Sequence, residues 1–169
     1  MPVVNPEHLL DQAEKLLKKT GAGAIRQTDL RRAISNAYYA VFHTVLIAAA
    51  DDFAGATKRQ SSRYALIYRS VGHSHLKKLC ADVAKDTLPA KYSHYAPISG
   101  FDDGIKAFAT AVRGLQEQRH LADYDPLAKI RLSDAILAVA TSRSAIGRLK
   151  DSDRDKRKAF LSLVVFDPR

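Results

Sequence analysis

Arg119 occupies a place where an apolar residue is expected. Phe101, Ile105, Phe108, Val112 and Leu115 recur at alternating steps of four and three, the stripe of one inward helix face, and the next member of the series is Arg119. A guanidinium on such a seam needs an anion or several acceptors to offset its desolvation. Two partners suit it: Asp123, one helical turn further on, or a phosphate bound in a polar pocket shared with other elements. A second polar row lies earlier in the chain. Arg32, Asn36, Tyr39 and His43 follow at steps of four, three and four, so they share one side of a helix that is otherwise apolar. A row this narrow faces either water or a polar seam inside an assembly.

The elements that carry these residues read as helices joined by short loops. In the stretch from Arg31 to Ala50, Ile34, Ala37, Tyr38, Val41, Val45 and Ala48 form an apolar face that Phe42 and Leu46 widen. This pattern predicts a central helix, capped by Thr28 or Asp29 and broken after Ala50 by Asp51, Asp52 and Gly55. Before it, Asn5 and Pro6 open a helix that runs to Lys19 with Leu9, Leu10, Ala13, Leu16 and Leu17 on one face. Thr20-Gly21-Ala22-Gly23 reads as its C-terminal stop, since no strand precedes these glycines and no Gly-Lys-Ser/Thr follows them. Further helices are predicted from Gly72 or Ser74 with Leu76, Leu79, Cys80 and Val83 inward, from Phe101 to His120, and from Pro126 to about Lys150. Residues 159–166 fit a helix or a short strand equally.

Composition limits the functional classes. The 169 residues suit one ordinary domain, and the single cysteine, Cys80, excludes a disulfide within the chain. The N-terminal residues lack the pattern of a signal peptide, and no apolar stretch reaches the roughly 18–20 residues of a membrane span. The expectation is a soluble, cytoplasmic protein. A net charge of +9 favours a polyanionic partner, although no polybasic arm is present. Arg59, Arg63 and Arg69 interleave with Tyr64 and Tyr68, an arrangement that serves phosphate contact with base stacking or plain amphipathic packing. His73, His75 and Cys80 do not have zinc spacing, and Asp102-Asp103 at a helix start reads as capping. The proline-rich loop from Asp86 to Gly100 has the length of a segment that covers a site.

The segment Arg32-Ala33-Ile34-Ser35-Asn36-Ala37-Tyr38-Tyr39-Ala40-Val41-Phe42-His43 resembles the helix signature of the HEPN superfamily, the higher eukaryotes and prokaryotes nucleotide-binding domain. Arg119-His120-Leu121-Ala122-Asp123-Tyr124 resembles the second motif of the same branch. Together they cover most of residues 6–150. The resemblance implies an all-α protein: an antiparallel four- or five-helix bundle over residues 1–150, with residues 151–169 as a C-terminal extension. It implies pairing as a homodimer, with the two motifs meeting at a polar cleft. In many members an arginine and a histidine five to seven positions later support metal-independent RNA cleavage; the arginine neutralises charge on the phosphate and the histidine moves a proton. Here Tyr124, Asp125 and Pro126 stand where that histidine falls, leaving His120 and His43 as the imidazoles to serve with Arg119. Arg32, Asn36, Tyr39, Asp123 and Tyr124 are the implied RNA- or nucleotide-binding residues. No metal, cofactor or membrane is called for. The implied function is RNA binding or cleavage of the toxin-antitoxin or defence kind. The alternative is a non-catalytic module that binds a nucleotide, or a nucleotidyltransferase or antitoxin partner.

Overall fold

Helix α2, Gln27–Ala54, is the element around which the others pack. The computed structural model describes residues 3–18 and 23–168, and among these the chain is all-α, with no strand. The remaining helices are α1 (Pro6–Leu16), α3 (Ser62–Ser70), α4 (His73–Val83), α5 (Asp103–Tyr124), α6 (Leu132–Asp151) and α7 (Arg154–Val165). Single 3₁₀ turns at Ala56–Lys58 and Ala90–Tyr92 punctuate the connections. Helices α1, α3, α5, α6 and α7 all touch α2, while α4 packs on α5.

The central position of α2 follows from its sequence. Ile34, Ala37, Tyr38, Val41, Val45, Phe42 and Leu46 are all buried, and the small residues Ala33, Ala40 and Ala49 let neighbouring helices approach on the other sides. Each fully buried large aliphatic or aromatic side chain contributes about 1.5–3 kcal/mol. By length and hydropathy alone α2 is long and apolar enough to cross a membrane, which corrects the expectation that no stretch is; 78% of that apolar window is buried against the rest of the bundle.

Its ends also differ from the sequence reading. The N-cap is Arg26, not Thr28 or Asp29, and Asp29 falls instead in the first turn, where its charge complements the helix dipole. The helix continues past Ala50 to Ala54 because Asp51 is not a breaker: its carboxylate accepts from Arg59 Nη2 at 2.7 Å and from Tyr64 at 3.0 Å. Gly55, at φ +93°, makes the stop that other residues adopt only with strain. At α1, Asn5 caps as expected, accepting from Glu7 N at 3.0 Å. The predicted end of that helix at Lys19 and the stop at Thr20 to Ala22 lie outside the described residues.

Helix α5 starts at Asp103, capped by Asp102, rather than at Phe101; it buries Ile105, Phe108, Val112 and Leu115 of the expected stripe, with Phe101 buried just ahead of it, and runs on to Tyr124. Helix α6 starts at Leu132 rather than Pro126. The intervening turn is pinned by Gln27, whose side chain donates to Ile130 O at 2.8 Å and accepts from Ile130 N at 2.9 Å. Residues 159–166 resolve as helix up to Val165. Phe160 meets the rings of Phe101 and Phe108 edge-on, with centroids 6.2 and 6.0 Å away, so the C-terminal extension shares the core of the bundle.

Candidate functional site

The last turns of α5, the first half of α2 and the start of α4 converge on Arg119, and the end of α3 joins through Tyr68 on His43. Its side chain is 17% exposed. Nε lies 2.8 Å from Asp123 Oδ2, off the N–H direction, so the contact is an ion pair more than a directed hydrogen bond. Nη2 donates to the Tyr39 hydroxyl at 2.7 Å and lies 3.5 Å from that of Tyr124. The guanidinium carbon sits 5.4, 5.3 and 5.9 Å from the ring centroids of Tyr39, Tyr124 and Tyr38, within cation-π range of all three. Desolvation opposes the charge on Arg119, but Tyr39, Asp123 and Tyr124 outweigh it and raise its pKa above the ordinary value. Nη1 has no partner among the described residues and reaches solvent. Of the two partners the sequence offered, the structure shows the in-helix one, Asp123, joined by the hydroxyls of Tyr39 and Tyr124, with one edge of the guanidinium left open.

Asp123 is held from a second side by the hydroxyl of Ser35. The end of α5 is fixed by Arg31, which donates to Ala122 O at 2.8 Å, to Asp125 O at 2.9 Å and to Ala128 O. A cation at a helix C-terminus satisfies carbonyls that lack a partner within the helix. These contacts place the first motif against the second through Arg31 and Ser35. Neither was among the expected site residues; the signal available was the doubled Arg31-Arg32, of which only one can face the bundle.

The second polar row does not act as a unit. Arg32 is exposed. Asn36 is buried and donates to Gln12 of α1 at 3.0 Å, away from Arg119. Tyr39 and His43 do join the site. His43 Nδ1 is 2.6 Å from the Tyr68 hydroxyl, and its ring stacks at 6.2 Å from that of Tyr39. Burial, and then the charge of His73, lowers the pKa of His43 below the ordinary 6.5. His120 is exposed on the outer side of α5, its ring 5.0 Å from that of Tyr124. Sequence reasoning missed His73, whose Nδ1 is 2.7 Å from the hydroxyl of the buried Tyr38. Burial and then Arg119 lower its pKa as well. The phenol of Tyr38, desolvated, is pushed well above its ordinary value and stays protonated.

Other candidates from the sequence have structural employment. Arg59 is spent on Asp51, Arg63 donates to Phe53 O at 3.1 Å, and Tyr64 is buried. Loop 86–100 lies at the far end of the bundle, between the end of α4 and the start of α5, with Tyr92 buried against Asp82. It does not cover Arg119. His75 bonds to Leu163 O at 2.9 Å, and among the described residues no three metal-ligating side chains gather. A cleft of about 640 Å³ between α1, α2 and α6 is also remote; its Arg59 is paired with Asp51 and its Arg157 with three carbonyls.

Comparison of the chain with protein-family models, curated proteins and solved structures finds no match in any of the three. The functional reading therefore rests on the geometry around Arg119.

Proposed function

We propose that the chain is a HEPN-type protein that binds RNA at the α2–α5 seam and cleaves it without a metal. The observation that carries this is Arg119: a cation brought into a three-tyrosine cradle at the end of the bundle, with Nη1 open to solvent. Such a group neutralises a phosphate, and exposed Tyr124 beside it offers a face on which a base stacks. The net charge of +9 supports a polyanionic ligand. His43, one turn from Tyr39 with its ring stacked toward that tyrosine, is placed to exchange a proton with the ribose-phosphate. His120 stands at the rim and contacts the strand rather than the reacting atoms.

The proposal includes a cytoplasmic location and a homodimer, with exposed Leu132, Ile136 and Leu137 on α6 as apolar surface for the second copy. The alternative, a non-catalytic module for a nucleotide, a nucleotidyltransferase or an antitoxin, is favoured by Tyr124, Asp125 and Pro126 standing where the resemblance calls for a histidine. Incubating the protein with labelled single-stranded RNA in chelator separates the two. Cleavage that disappears in Arg119→Gln, with unchanged circular dichroism, is the expected result. Binding without cleavage under every condition leaves the non-catalytic module.

A further inference from the structure

The seam holds an imidazole that neither motif contains. His73 is the first residue of α4, and its backbone carbonyl accepts from Gln116 Nε2 at 3.4 Å, tying the start of α4 to α5. Its ring stacks on Phe42, centroids 3.9 Å apart, and meets Tyr39 edge-on at 6.0 Å. His43 is set in a parallel way. In each ring a tyrosine hydroxyl takes Nδ1, Tyr38 for His73 and Tyr68 for His43. In each ring Nε2 reaches solvent and has no partner among the described residues. Two imidazoles oriented by tyrosine hydroxyls, each with Nε2 open and each about 6 Å from the ring of the tyrosine that holds Arg119, flank the open edge of the guanidinium.

We propose that His73 is the general base of the RNA-cleaving reaction, with His43 as its acid. The inference rests on the cleaving reading of the Arg119 site. The ribose 2′-hydroxyl gives its proton to His73 Nε2, and the freed electron pair forms a bond to phosphorus. The bond from phosphorus to the 5′-oxygen breaks, its electron pair leaves with that oxygen, and the oxygen takes a proton from His43 Nε2. A 2′,3′-cyclic phosphate and a 5′-hydroxyl result, with nothing oxidised or reduced. Arg119 Nη1 holds the non-bridging oxygens, whose charge grows in the transition state. The Tyr38 hydroxyl accepts from His73 Nδ1–H, which leaves the lone pair on Nε2.

The roles are assigned by the surroundings. His73 faces Arg119 and Gln116 from α5, Tyr38, Tyr39 and Phe42 from α2, and opens a helix whose N-terminal dipole also disfavours a cation. His43 faces Tyr39 and Phe42 on its own helix, Tyr68 on α3 and, from α4, the ring of His73 itself, with no arginine among its neighbours. His73 alone lies beside the fixed charge of Arg119 and at a helix N-terminus, both of which favour the neutral ring that a base needs, and His43 is left as the ring that carries the proton.

The test is single-turnover cleavage of a short single-stranded RNA in chelator across pH, with end-group analysis of the products. His73→Gln is expected to slow cleavage by about 10²–10⁴-fold and to abolish the acidic limb of the profile. His43→Gln abolishes the alkaline limb, Tyr38→Phe displaces the acidic limb, and the remote His94→Gln changes nothing. In case His73→Gln disturbs the fold, NMR titration of the wild-type His73 ring supplies an independent readout. Its midpoint must match the acidic limb and rise when inorganic phosphate is added. Wild-type cleavage with His73→Gln within threefold of it, or a larger loss in His120→Gln, overturns the base assignment and leaves the Arg119 reading standing. A wild type that binds RNA and never cuts it overturns the cleaving reading and the role of His73 with it.

Discussion

Arg31 and Arg32 are adjacent and chemically identical, yet the structure assigns them opposite importance. Arg31 donates to three carbonyls at and beyond the end of α5, whereas Arg32 is exposed. A hydrogen bond to a charged group contributes about 1.5–3 kcal/mol, but these three share one side chain and the released carbonyls regain water. The expected cost of Arg31→Met is therefore about 2–4 kcal/mol rather than the sum, and that of Arg32→Met is within about 0.5 kcal/mol. In a chain of this size the first corresponds to a fall in Tm of roughly 5–15 °C. Urea unfolding followed by circular dichroism measures both. Because Arg31 positions the turn that carries Asp123 and Tyr124, Arg31→Met also weakens RNA binding at a temperature where the protein is still folded. Equal stability of the two variants, or a larger loss from Arg32→Met, refutes the reasoning.

Stability is expected to depend on acid through the two half-buried imidazoles. His43 and His73 have native pKa values below 6.5, so the unfolded chain binds more protons between those values and 6.5. Their contribution is complete above 6.5 and is lost as pH falls through it toward the native values. The double variant with glutamine at both positions flattens this decline; an unchanged decline contradicts the burial of these rings. Gly104→Ala places a methyl 3.0 Å from Arg148 O and 3.2 Å from Asp102 Oδ1, and is expected to cost about 1–3 kcal/mol. Gly114→Ala meets nothing within 4 Å in mid-helix and is expected to stabilise by about 0.4–1 kcal/mol. Thermal melts of the pair decide both, with equal shifts as the contrary result. Cys80 is fully buried and its thiol pKa is raised by desolvation, so a disulfide reagent should label it at least about 100-fold faster in urea than in buffer. Equal rates contradict its place in the core.

The helical class was legible because burial in a bundle leaves a period in the sequence. The stripe from Phe101 to Leu115 and the apolar faces around Tyr38 and Val41 are buried as read, and the arginine that breaks the first stripe marks the seam. Helix ends were less legible. Pro126 suggested a helix start, but the turn after it is held by Gln27 and Arg31 from a helix about 100 positions earlier, contacts with no local signature. The same limit hid His73. It is far from both motifs in sequence, and only the packing of α4 on α5 brings its ring beside Tyr38 and Phe42. Periodicity also overgrouped the polar row of α2. Residues at helical spacing share a side of the helix, but which neighbour covers each height is tertiary information, and α1 claims Asn36 while Tyr68 claims His43.

The most direct test of the central claim, that the open edge of Arg119 receives a phosphate, is fluorescence anisotropy of a short single-stranded RNA titrated from about 50 to 200 mM salt. Arg119→Gln is expected to lower affinity at least about tenfold and to reduce the salt slope by about 0.7, the value of one phosphate contact on a single strand. Identical affinity and slope in the wild type and the folded variant would show that RNA, if bound at all, lies elsewhere on the molecule.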